Sequence, residues 1–124
     1  PAAQASNASE KLLARLKRTV RDRCHESDLS PAAVAKEHGI SKRYLHHLFA
    51  NAGTTFGNEL MRARLESAHR LLSDARYSAL SINEVAGRCG FVESSHFARR
   101  FRKTYGLAPT EFRMRYAPGR AQRR

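Results

Sequence analysis

Residues Leu29, Ser30, Val34, Ala35 and Gly39 recur 51 positions later as Leu80, Ser81, Val85, Ala86 and Gly90, and this internal repeat constrains the fold more tightly than any other feature of the 124-residue chain. Past the glycine the second copy gains one residue, after which Leu45 matches Phe97 and Phe49 matches Phe101. Each copy reads as a short helix, an alanine four residues ahead of a glycine, an apolar residue (Ile40 or Phe91), a turn and a second helix. The alanine lets the second helix cross closely, the glycine supplies the positive φ of the turn, and the apolar residue plugs the corner. That arrangement is a helix-turn-helix, and the chain holds two.

The remaining periodic segments also read as helix. No alternating apolar and polar run is bounded by hairpin signals, so the expected class is all-α, with seven helices in two helix-turn-helix subdomains joined by a long linker helix. Asn7 and Glu10 have capping-box spacing ahead of an apolar stripe at Leu12, Leu13, Leu16, Val20 and Cys24, which predicts a first helix over residues 9–25. Ser30 and Pro31 start the second helix and Gly39 ends it. Ser41 caps the third, with Leu45, Leu48, Phe49 and Ala52 inward and Gly53 at its end. Leu60, Met61, Leu65, Ala68, Leu71 and Leu72 then predict a helix of roughly 19 residues, ~28 Å long. Ser81 and Glu84 form a second capping box, Phe97, Phe101 and Tyr105 line the next helix, and Gly106 ends it before Pro109 and Thr110 start a last one carrying Phe112 and Tyr116. The expected organisation is a linker or disordered segment at residues 1–8, a first subdomain at 9–55, a linker helix at 56–75, a second subdomain at 76–117 and a frayed basic tail at 118–124.

Charge narrows the partner. Lysine and arginine total 23 against 11 acidic residues, a formal charge of +12, which attracts a polyanion. Nucleic acid and an anionic membrane surface lead the candidates. No apolar run approaches the roughly 18 residues that span a bilayer and no signal-peptide pattern opens the chain, so a cytoplasmic protein is expected. An interfacial helix is disfavoured because the charges are spread over several helices whose apolar stripes need one another. Single-stranded RNA readers use exposed aromatic platforms, whereas Phe49, Phe56, Phe91, Phe97, Phe101, Phe112 and Tyr105 fall on inward faces and leave Tyr44 as the main exposed ring. Cys24 and Cys89 lack ligand spacing and read as buried small apolar groups, so neither a metal site nor a disulfide framework is expected. His25, His38, His46, His47, His69 and His96 are scattered along the chain, with His46 and His47 alone adjacent, and there is no nucleophile motif or phosphate-cradling glycine loop, so neither an enzyme nor a cofactor is expected.

Duplex DNA remains. The outward face of the first unit's second helix holds Arg43, His46, His47 and, a turn later, Ala50, and Arg43 can bind guanine through two parallel bonds. The corresponding face of the second unit offers Ser94, Ser95, His96, Ala98 and Arg99, with Arg99 the strongest reader for the same reason. Arg100, Arg102 and Lys103 complete a basic cluster suited to phosphate, and residues 76–124 carry eleven basic against three acidic side chains. For each of these residues the alternative is a solvated polar face. A ~28 Å linker is near the ~34 Å of one DNA turn, so both helices could enter successive major grooves.

The most specific segment is residues 81–113, which holds Ile82, Val85 and Ala86, then Gly90 and Phe91, then Phe97, Phe101 and Arg102, then Gly106 and Pro109. This pattern, and the order of elements over about residues 10–116, resembles the AraC/XylS family of bacterial transcription regulators. The resemblance implies that Arg43, His46 and His47 contact bases while Lys42 and Tyr44 hold phosphate. It implies bipartite binding to double-stranded promoter DNA, with both recognition helices inserted or one resting on the backbone. It further implies gene activation through RNA polymerase and an N-terminal domain, absent from these residues, that senses an effector or dimerises.

Overall fold

The computed structural model describes the backbone of residues 2–117 and the side chains of residues 7–117; the expected basic tail at 118–124 lies outside the described residues. Among the described residues seven α-helices follow one another: α1 Ala2–Arg23, α2 Pro31–Glu37, α3 Lys42–Asn51, α4 Phe56–Leu72, α5 Ile82–Arg88, α6 Ser94–Tyr105 and α7 Pro109–Tyr116. A 3₁₀ turn at Ala75–Tyr77 separates α4 from α5, and no strand occurs among the described residues.

Local chemistry accounts for most boundaries. Ser30 Oγ accepts from the Ala33 amide at 3.1 Å and Ser41 Oγ from the Tyr44 amide at 3.0 Å, satisfying one orphan donor at the start of α2 and of α3. At α5 the bonds are reciprocal: Ser81 Oγ accepts from the Glu84 amide and Glu84 Oε1 from the Ser81 amide, both at 3.0 Å. The two repeats close their corners through equivalent atoms, because the Ile40 amide donates to Ala35 O and the Phe91 amide to Ala86 O, each at 3.0 Å. Gly39 has φ +69° and Gly90 φ +95° at these corners. Open space surrounds the place a Cβ would take at Gly39, so the requirement there is torsional rather than steric.

Three expectations need correction. Residues 2–8, expected as a linker, are helical, because Ala2, Ala3, Ala5 and Ala8 are strong helix formers and no breaker interrupts them; Asn7 and Glu10 therefore do not start a helix. Ala52 caps the C-terminus of α3 and is exposed rather than inward. The long helix ends at Leu72, before Asp74, whose Oδ1 accepts from the Arg76 amide at 3.0 Å while its Oδ2 pairs with Arg76 Nη2 at 2.7 Å, fixing the 3₁₀ turn.

The described residues up to Cys24 together with Asp28–Ala63 form one compact unit, and His25–Ser27 with the described residues from Arg64 form a second. The linker helix is thus shared rather than separate. Phe56, Leu60 and Ala63 of α4 complete a core with Leu16, Val20, Leu29, Val34, Leu45 and Phe49. In the second unit Leu65, Ala68 and Leu72 are buried along with Val85, Cys89, Phe97, Phe101 and Phe112. That core is aromatic: the Phe97 and Phe101 rings lie 5.6 Å apart and Phe101 meets Phe112 edge-on at 5.3 Å. Arg113 Nη1 donates to Leu80 O at 2.5 Å and fastens α7 to the segment ahead of α5. Cys24 and Cys89 are both buried, as expected of small apolar side chains.

Candidate nucleic-acid interface

Burial of Leu45, Leu48 and Phe49 on one side of α3 leaves Lys42, Arg43, His46, His47 and Ala50 exposed on the other. Tyr44, 39% exposed, stacks on His47 with ring centroids 6.2 Å apart. Asn51 Nδ2 lies 3.1 Å from His47 Nε2, and since an amide nitrogen only donates, the imidazole nitrogen accepts. His47 is therefore held in place between Tyr44 and Asn51. No described residue bonds the Arg43 side chain, so its donors remain available to a ligand.

In α6 the fully buried Phe97 and Phe101 orient the helix, and Ser95, His96, Arg99, Arg102 and Lys103 are exposed. His96 sits edge-on to Phe91 at 6.1 Å. Arg99, like Arg43, has no bonding partner among the described residues. Ser94, Ala98 and Arg100 are half-buried. Ser94 Oγ donates to Asn83 Oδ1 of α5, so this hydroxyl is already engaged. Arg100 Nε is buried with no hydrogen-bond partner among the described residues, so part of this side chain is packed, whereas Arg102 and Lys103 are exposed.

Sequence reasoning missed Asn83 and Asn51, which hold site residues in place. Asn51 lies one turn beyond His47, a spacing that could have revealed it; Asn83 meets Ser94 across a turn, and periodicity carries no signal for that. Tyr116, 56% exposed, surpasses Tyr44 as the most exposed of the described tyrosines and phenylalanines; it lies in the last turn of α7. Among the described residues no three histidine, cysteine or acidic side chains come together to hold a metal ion, and no helix is long and apolar enough to cross a membrane.

Known proteins share this architecture. A family model described as a helix-turn-helix domain matches residues 34–115. The transcriptional activator NphR of Rhodococcus is 37% identical over 105 residues, which cover 85% of this chain and 30% of that protein. The transcriptional activator RhaS of Escherichia coli is 39% identical over 82 residues, covering 65% of this chain and 28% of that protein. Among solved structures, a probable AraC family regulator from Rhodopseudomonas palustris superposes with a TM-score of 0.75 at 27% identity, over 84% of this chain and 95% of that one. The DNA-binding domain of AdpA, solved in complex with a target DNA, superposes with a TM-score of 0.73 at 28% identity, over 90% of this chain and 97% of that one. The chain spans between 28% and 33% of the length of the curated relatives it matches.

Proposed function

The chain belongs to the AraC-type family of helix-turn-helix transcription regulators, and from that premise we propose that α3 and α6 are recognition helices that enter successive major grooves of promoter DNA and activate transcription nearby. The observation that carries this reading is the matched exposure of the two helices. Leu45 and Phe49 in one repeat, and Phe97 and Phe101 in the other, are fully buried, and the opposite faces present Arg43 and Arg99 to solvent. Arg43, His46 and His47 face one box of bases, and Ser95, His96 and Arg99 face the other. Lys42, Tyr44, Arg102, Lys103 and the outer guanidinium nitrogens of Arg100 hold phosphate, which fixes register without reading sequence.

Activation is favoured because NphR and RhaS are both named transcriptional activators. On this reading activation requires contact with RNA polymerase, and the whole protein carries a further effector-sensing or dimerisation domain. The role is DNA binding in the bacterial cytoplasm rather than catalysis.

Binding to a selected duplex should be titrated across a salt series. If about six phosphates are neutralised, log affinity against log salt falls with a slope near −5. A slope near zero would remove the electrostatic basis of the proposal.

A further inference from the structure

The two recognition helices are not anchored alike. The α5–α6 connection, residues 89–93, is one residue longer than the α2–α3 connection, residues 38–41. The added position brings Val92, which is 82% exposed and contributes no packing to the corner. The second repeat also lacks a cap that the first one has. Ser41 Oγ bonds the first turn of α3, but the residue at the corresponding place, Glu93, makes no side-chain bond to α6. A longer turn and a missing cap both leave the direction of α6 less determined, so the helix has more orientations to lose when it docks into a groove.

One contact compensates. Ser94, in the first turn of α6, donates its hydroxyl to the Asn83 carboxamide oxygen of α5. By the repeat offset the first unit carries Ala32 and Lys42 at these two places, a pair unable to form such a bond. Asn83 is exposed and Ser94 half-buried, so the pair lies at the rim of the corner, where one hydrogen bond contributes little to folding. We infer that the Asn83–Ser94 bond is a clip that sets the entry angle of α6, and that Ser94 is a positioning residue acting through Asn83 rather than a reader of bases. This inference rests on the DNA-binding reading of α6.

The test uses Ser94→Ala, Asn83→Ala, the double variant and Ser94→Thr, each measured for affinity to a duplex selected by the wild-type chain and for base preference in a fresh selection. Both single variants and the double variant should weaken binding by the same factor, roughly threefold to tenfold, because a bond removed once cannot be removed again. Base preferences should stay as in the wild type, Ser94→Thr should bind like the wild type, and melting temperatures should stay nearly constant while affinity falls. A changed base preference with Ser94→Ala alone, losses that add in the double variant, or wild-type affinity in both single variants overturns the clip and leaves the DNA-binding reading intact. A wild-type chain that enriches no duplex overturns the DNA-binding reading itself, and the clip with it.

Discussion

In the first repeat α3 presents Lys42 and Arg43 beside the imidazoles of His46 and His47, whereas in the second α6 presents Arg99, Arg102 and Lys103 with Arg100 half-buried among them. The corners behind these faces match through equivalent backbone bonds, Ile40 to Ala35 and Phe91 to Ala86. The difference teaches where the constraint lies. A close crossing and a left-handed turn admit few residue types, so the corner repeats; the solvent face of each second helix is free of packing demands and can be specialised. The first face is built for orientation, with His47 held by Tyr44 and Asn51, and the second for charge.

The largest expected effect separates the two cores. Phe97→Ala should cost about 3–5 kcal/mol and the matching Leu45→Ala about 2–5 kcal/mol, read from urea unfolding. Phe97 should lie at the upper end of its range because it packs against Phe91 at 5.0 Å as well as Phe101. Equal losses would show that the aromatic core adds nothing to the second unit. Next come the readers: Arg99→Ala and Arg43→Ala should each cost ~1–3 kcal/mol of binding and relax preference at one base pair, in different boxes. A competition titration in which Arg99→Ala weakens every sequence alike would remove it from the readers. Lys103→Ala should weaken all sequences uniformly and make the salt slope shallower by about 0.9, with base preference unaltered.

The smallest effect concerns the caps. Hydrogen bonds to its carboxylate from the Ser81 backbone amide and, second, from the Ser81 side chain hold the Glu84 carboxyl below the ordinary glutamate value of 4.5. Since the folded value is the lower one, this stabilisation is fully present above 4.5 and is lost as the pH falls through the lowered value. The first repeat has Ala33 at the position of Glu84 and lacks this dependence. Hydrogen exchange on acidification should therefore show α5 fraying at its start while α2 is unchanged, and Glu84→Gln should abolish the difference. Parallel behaviour of the two helices would contradict the assignment.

Much of this architecture was legible in the chain because its causes are local. Glycine corners, serine caps and apolar stripes at helical spacing each declare themselves within a few residues, and the seven helices of the described residues follow from them, the start of α1 excepted. Features that depend on distant partners were not legible. The division of α4 between two cores depends on which helices flank Phe56 and Leu72, which periodicity cannot say. The site divides in the same way: exposure of Arg43 and Arg99 follows from helical phase, but engagement of Ser94 by Asn83 and burial of Arg100 Nε depend on how neighbouring chain segments meet. The start of α1 at Ala2 was hidden for another reason, since an alanine-rich stretch carries helix propensity without the capping signal that marks a boundary.

Selection from random duplex DNA, repeated with Arg43→Ala and Arg99→Ala, tests the paired-reader account most directly. The account predicts two enriched boxes about one helical turn apart, ~10–10.5 base pairs centre to centre, with one box degraded by each substitution. A single box indifferent to Arg43, or no enrichment at all, would contradict it.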